Sequence, residues 1–280
     1  MMKQLQSPIF SSIAGFLFLL LILQLRPTMS QEVEDEREFD YLVGSSKGPE
    51  HWGELHEEWA ACNNGDMQSP IDLLHQRVEV VPELGKIKRD YKTANATLKN
   101  RGHDIMLQWE GDAGSIHING TDYKLKQCHW HSPSEHTIDG NRFAMEVHMF
   151  HESSNLSFAV IGVLYKIGRP DPFLSELEEE IQTLADTQNE INVGMVNPKH
   201  IKLGGRKYYR YVGSLTTPPC TQGVTWTIIK RVRTVSAEQV KLLRRAVHDY
   251  AESNARPLQP LNDRVIEFYE PKQTSPKNQH

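Results

Sequence analysis

Three observations predict a mainly β, single-domain fold. Short strand-like segments dominate from about residue 78 to residue 231. Several are apolar on both faces, which requires a sheet covered on both sides. About 250 residues follow an N-terminal leader, enough for one large β domain with a full core. No internal repeat and no boundary to a second domain is visible.

The elements follow in order. Lys3 precedes the apolar run Ile13 to Leu23, and small and polar residues follow near Thr28-Met29-Ser30. Residues 1–30 therefore read as a secretory signal peptide; the run is shorter than the ~20 residues a membrane span needs. No second apolar run follows, so a soluble mature chain is expected. Residues 31–50 are acidic and polar and read as a loose arm. Residues 52–72 read as loop, punctuated by Gly, Asn and Pro. Strands are expected over 104–109, 114–119 and 156–165, where β-branched and aromatic residues alternate or run together. One helix is expected over 174–186. A second starts at Ser236, where Ser236-Ala-Glu-Gln239 forms a capping-box pattern, and runs to about 252. The domain occupies residues 31–270, and 271–280 read as a polar tail.

The formal charge is −5, and removing the leader with Lys3 and Arg26 takes it to −7. Nucleic acid as a partner would call for a basic patch, so none is expected. Of the three cysteines, Cys62 and Cys220 sit in turn-rich stretches while Cys128 lies inside a predicted strand. In an oxidising compartment two should pair, and the expected bridge is Cys62–Cys220. Asn95-Ala-Thr97, Asn119-Gly-Thr121 and Asn155-Leu-Ser157 are glycosylation sequons.

Three histidines carry the chemistry. His129 and His131 lie in Gln127-Cys-His-Trp-His131, and His148 in Glu146-Val-His148. Side chains at i and i+2 of a strand share a face, roughly 7 Å apart along the chain. A third imidazole from a neighbouring strand completes a facial set, which suits Zn²⁺ with its fourth position open for catalysis. Gln127 and Glu146 share those faces and can accept the proton of each far ring nitrogen, which fixes the tautomer. Ser214-Leu-Thr-Thr-Pro-Pro219 is a rigid turn, because proline restricts its own backbone and the residue before it.

Together Gln68-Ser-Pro-Ile-Asp72, Gln127 to His136, Glu146-Val-His148 and Ser214 to Pro219 resemble the α-type carbonic anhydrases, and more narrowly their secreted plant form. Gly223-Val-Thr-Trp226 and Arg256 to Leu261 extend the resemblance over roughly residues 40–270. It implies a twisted, mostly antiparallel ten-stranded sheet with a few peripheral helices and Zn²⁺ at the base of a cone. It implies reversible hydration of CO₂ to bicarbonate and a proton, by zinc-bound hydroxide. His129, His131 and His148 would be the zinc ligands. Thr216 would donate to Glu135 and orient the hydroxide, with Thr217 beside it. His103 would be the proton shuttle, a partly exposed imidazole. Val160, Leu215, Thr216, Thr217 and Trp226 would line the substrate site.

Some positions depart from the family pattern. Phe150 replaces a small aliphatic residue and would narrow the apolar pocket. Glu54 replaces a frequent tyrosine, and Arg101 and Met106 replace asparagines near the shuttle. The expectation is a hydratase with a less ordered proton path. The competing reading is a non-catalytic storage or binding protein of the same fold. A zinc peptidase is disfavoured because no His-Glu-x-x-His occurs, and a serine hydrolase because no Gly-x-Ser-x-Gly elbow occurs. The leader places the chain in the secretory pathway, with the extracellular space, or apoplast, expected first and a plastid reached by that route second. Nothing in the sequence selects an oligomeric state.

Overall fold

The computed structural model describes residues 38–185, 190–248 and 251–272. The leader and the tail from residue 273 lie outside them. Fifteen strands are described: β1 (Asp72–Leu73), β2 (Val78–Val80), β3 (Lys88–Arg89), β4 (Ala94–Asn100), β5 (Ile105–Trp109), β6 (Ser115–Ile118), β7 (Thr121–His131), β8 (Thr137–Ile138), β9 (Asn141–Arg142), β10 (Met145–Ser153), β11 (Phe158–Ile167), β12 (Glu190–Val196), β13 (Tyr208–Ser214), β14 (Gln222–Val235) and β15 (Ile266–Tyr269). Ten of them form one continuous path, β12-β4-β5-β7-β10-β11-β14-β13-β15-β2, with β3 and β6 attached beside β7. Along that path the β11/β14 and β15/β2 pairs are parallel and the rest antiparallel. The mainly β, mostly antiparallel architecture is thus the one expected.

Both faces of the central strands are covered. Residues 145–151 of β10 and 158–165 of β11 are buried without alternation. The pleat sends neighbouring residues to opposite cores. Val160, Trp226, Tyr209 and Tyr211 join a front core, and Cys128, Met149, Ile161 and Ile229 a back core. Leu107, Cys128, Met149, Ile161, Thr227 and Arg210 form one lateral row across the sheet. His129 and His148 are opposed in the neighbouring row, which belongs to the front face.

Four expectations change. The arm over residues 31–50 is not loose in its described part. Phe39 and Tyr41 are buried against Trp52, with ring centroids 5.3 and 5.4 Å away. Burying three aromatic rings outweighs the polar composition of the surrounding residues. The stretch 52–72 contains short helical turns at Trp52–Leu55, Glu57–Trp59 and Ala61–Asn64. The helix expected over 174–186 divides into Pro172–Ser175 and Glu178–Thr183. Gln239 binds Asp171 O, Ser175 Oγ and Glu178 Oε1, so a tertiary contact holds both pieces. The second helix has the expected capping box but stops at Ala246. There Asn100 Nδ2 captures the carbonyl of Ala246 at 2.6 Å.

Cys62 and Cys220 are bridged, and Cys128 is a buried free thiol. The bridge closes a loop of 158 residues. Cys62→Ser should therefore cost about 2–5 kcal/mol in urea denaturation. Unchanged stability would show that the sheet ladder alone constrains these segments.

Candidate metal centre

The β7/β10 ladder sets His129 directly opposite His148 and His131 opposite Glu146. The three imidazoles are almost wholly buried, and their ring centroids lie 4.6 to 5.2 Å apart. One nitrogen of each is tied back. His129 Nδ1 donates to Gln127 Oε1 at 2.9 Å, His131 Nδ1 to the carbonyl of Asn254 at 2.7 Å, and His148 Nε2 to Glu146 Oε1 at 3.0 Å. That leaves His129 Nε2, His131 Nε2 and His148 Nδ1 to converge. One potential ligand atom from each residue lies within 4.8 Å of the others.

This arrangement fits a divalent metal. His131 Nε2 is buried without a hydrogen-bond partner, which is costly unless something else meets its lone pair. Burial drives the pKa of His129 well below the ordinary value and lowers that of His148, with the neighbouring imidazole of His131 adding to both. Those two rings are therefore neutral near pH 7, as metal ligands must be. Three imidazoles on one side match Zn²⁺ with an open fourth position.

Glu146 organises the surroundings. Its carboxylate accepts from the backbone N–H groups of Glu135 and His136, from His136 Nδ1 and from His148 Nε2, all at 2.8 to 3.0 Å. Gly162 faces this carboxylate; a Cβ there would lie 2.8 Å from Oε1. His136 Nε2 reaches Tyr211 Oη at 2.7 Å, and that hydroxyl meets Ser69 Oγ at 2.8 Å. Arg256 donates its backbone N–H to Glu135 Oε1, and its guanidinium binds Gln68, Ser69 O and Cys62 O. Glu135 Oε2 has no partner and stands 3.6 Å from His131 Nε2 and 3.9 Å from His148 Nδ1.

The sequence reading assigned no role to His136, Tyr211, Asn254 or Arg256. His136 and Arg256 lie within segments that carry the family resemblance. Their partners are 10 to 194 residues away, so spacing offers no signal for the pairing.

Val160, Leu215 and Trp226 come together in the front core with Phe150 and Phe158. Phe150 packs on Phe158 at 5.1 Å, within the apolar wall it was expected to narrow. Trp226 lies against the His148 ring at 4.8 Å and donates Nε1–H to Ser214 O. Thr216 and Thr217 are buried, and Thr217 Oγ1 has no partner. Asn95, Asn119 and Asn155 are all exposed.

His103 departs from the partial exposure expected of it. Its side chain is fully buried, neither ring nitrogen has a hydrogen-bond partner, and the ring packs on Phe39 at 5.2 Å. Burial depresses its pKa to about 4, against the pull of Asp104. The cause is again the aromatic arm, which covers the imidazole. Arg101 is buried too, donating from Nε and Nη2 to both carboxylate oxygens of Asp104. Met106 is buried opposite His129, and Glu54 is exposed, bonded to His51.

With this geometry in place, the likeness to known proteins is decisive. The eukaryotic-type carbonic anhydrase family model matches residues 47–270. The chain belongs to that family. It is 61% identical to alpha carbonic anhydrase 7 of Arabidopsis thaliana over 241 residues, covering 86% of this chain and 88% of that one. It is 53% identical to carbonic anhydrase Nec1 of Nesocodon mauritianus, covering 91% and 94%. A crystal structure of dioscorin complexed with ascorbate superposes with a TM-score of 0.83 at 47% identity, over 85% of this chain and all of that one. Carbonic anhydrases are enzymes that interconvert carbon dioxide and bicarbonate. Among the described residues no helix is long and apolar enough to cross a membrane.

Glu146 yields a pH test. Burial alone would raise its pKa, but the attraction of His136 and His148, with the hydrogen bonds they donate, holds it well below its ordinary value of 4.5. The ionised form is thus favoured by folding. Its stabilisation is complete above pH 4.5 and is lost as pH falls through the lower folded value. The wild-type urea midpoint should therefore fall more steeply below about pH 4.5 than that of Glu146→Gln. Parallel curves would remove Glu146 from the acid response.

Proposed function

We propose that this carbonic anhydrase hydrates CO₂ at a zinc ion held by His129 Nε2, His131 Nε2 and His148 Nδ1. The observation that carries the reading is the convergence of three buried ring nitrogens whose opposite nitrogens are each tied to an acceptor. When bound, zinc lowers the pKa of its water from 15.7 to about 7, an effect for which the carbonic anhydrases are themselves the worked case.

The chain's own residues do the rest. Gln127, Glu146 and the Asn254 carbonyl hold the three tautomers. Glu135 Oε2 is a free acceptor, suited to the hydroxyl proton of Thr216. A Thr216 that donates to Glu135 presents a lone pair to the nucleophile and so aims it. Val160, Leu215 and Trp226 offer CO₂ an apolar wall without a competing hydrogen bond, and the unpartnered hydroxyl of Thr217 is available to the product. His103 stands at the shuttle position. Covered by Phe39, its ring must swing clear to take a proton, so proton egress is the slow step and depends on buffer.

We also assign residues 1–30 to a cleaved signal peptide, glycans to the exposed Asn95, Asn119 and Asn155, and an extracellular destination. The Cys62–Cys220 bridge supports an oxidising compartment. Intact mass before and after deglycosylation, with N-terminal sequencing, checks all but the destination.

Stopped-flow CO₂ hydration with zinc content measured on the same sample tests the main reading. The expected result is one zinc per chain with fast turnover, and loss of both in His129→Ala. Full zinc without hydration would favour the storage or binding alternative, to which Phe150 and the likeness to dioscorin point. Turnover should rise with imidazole buffer, and His103→Ala should lower kcat at low buffer more than it lowers kcat/KM. Equal losses in both would locate the damage at the metal instead.

A further inference from the structure

The back face of the sheet carries a buried cation that the proposed chemistry does not use. Thr227 and Arg210 continue the lateral row that holds Cys128, Met149 and Ile161. In an otherwise apolar row a guanidinium is anomalous, because taking a charge out of water is expensive unless it is paired. Arg210 is only 8% exposed. Its hydrogen bonds run from Nε at 3.3 Å and Nη2 at 2.9 Å to one neutral oxygen, Thr227 Oγ1. The plane of its head lies over the Tyr208 ring, 5.2 Å from the centroid. Among the described residues no carboxylate lies within ion-pair distance. Glu267 is its neighbour across the β13/β15 ladder and pulls on it only at longer range. Thr227 can satisfy part of the fork, and Nη1 is left over.

The space beside that head is a cavity of about 220 Å³. Arg210, Thr227, Tyr208, Lys86, Lys88 and His117 are among the residues that line it. A water's share of liquid volume is about 30 Å³, so the cavity admits a small polyatomic ion. Both lysines are exposed. Among the other charges, Glu83 lines the cavity, and Asp122 is held by His117 Nδ1 at 2.8 Å. Positive charge therefore dominates the cavity, on a chain whose net charge is negative.

We propose that this cavity is a binding site for a small planar oxyanion of the carboxylate type, distinct from the metal centre. The hydrogens of Nη1 and the second hydrogen of Nη2, which Thr227 does not take, match the two coplanar oxygens of such an ion, and charge-assisted bonds of this kind are the strong ones. The exposed Lys86 and Lys88 add attraction. The ion has two chemical sources, an organic carboxylate and bicarbonate itself. Arg210 and Thr227 adjoin Tyr211 and Trp226, which lie on the opposite face beside the histidines.

The test is anion-dependent thermal stabilisation of the zinc-loaded protein. Acetate and bicarbonate are titrated separately against chloride at matched ionic strength, so that general screening cancels. Wild type, Arg210→Gln and Lys88→Gln are compared. Anion binding at the metal centre is common to all three and cancels as well. A ligand that binds only the folded chain raises Tm in a saturable way. The expected result is a saturable rise for at least one anion that is larger in wild type than in the two variants, and the anion that shows this difference identifies the source. Arg210→Gln should weaken the apparent affinity at least about ten-fold, as loss of a charge-assisted pair implies. Lys88→Gln should weaken it about two- to five-fold, as an exposed charge implies. If Arg210→Gln does not fold, the exposed Lys88 decides. Identical titrations in wild type and Lys88→Gln for both anions, or no saturable rise in wild type for either, would overturn the proposal.

Discussion

The carboxylate of Glu146 is the interaction on which the centre depends. Four N–H groups converge on its two oxygens, two from the backbone and two from imidazoles. A buried carboxylate survives only when its lone pairs are met. Here meeting them does structural work. The bond to His148 turns that ring's Nδ1 towards its two neighbours. The two backbone bonds fold the chain after His131 back on itself, which brings Glu135 beside His131 and His148. Gly162 makes room for the arrangement, since any larger residue would press on the carboxylate. One ionised group thereby sets both the tautomer of His148 and the position of Glu135.

Around this node the sheet separates two tasks by its pleat. One face carries the histidines and the apolar wall; the other builds most of the hydrophobic core. The continuous burial of β10 and β11 follows, because every residue of either strand has a core to face. It also explains why polar groups on the back face stand out. A core made by the covered face has no need of Arg210, whose charge is incompletely balanced by its own surroundings.

The aromatic arm decides how His103 is buried. Phe39 and Tyr41 close over Trp52 and His103, gaining apolar burial at the expense of the imidazole's access to water. Composition alone points the other way, since residues 31–50 are rich in acids. The few aromatic side chains decide the outcome, because each buries far more area than the acids around it lose.

Much of this was legible in the chain itself. The period-two spacing of His129 and His131 puts them on one face of any strand, whatever its neighbours. Gln127 and Glu146 are readable as partners for the same reason, and Ser236 as a helix start because its capping box is local. The cysteine pairing follows from turn-rich context. Tertiary structure alone decided the register that opposes His148 to His129, the carbonyl of Asn254 that orients His131, the His136–Tyr211–Ser69 chain, the break near residue 176 and the burial of His103. Each of these depends on groups tens to hundreds of residues apart. Local patterns act through the pleat and the turn, which repeat every few residues. Hydrogen bonds and packing between distant segments exist only once the sheet has closed around them.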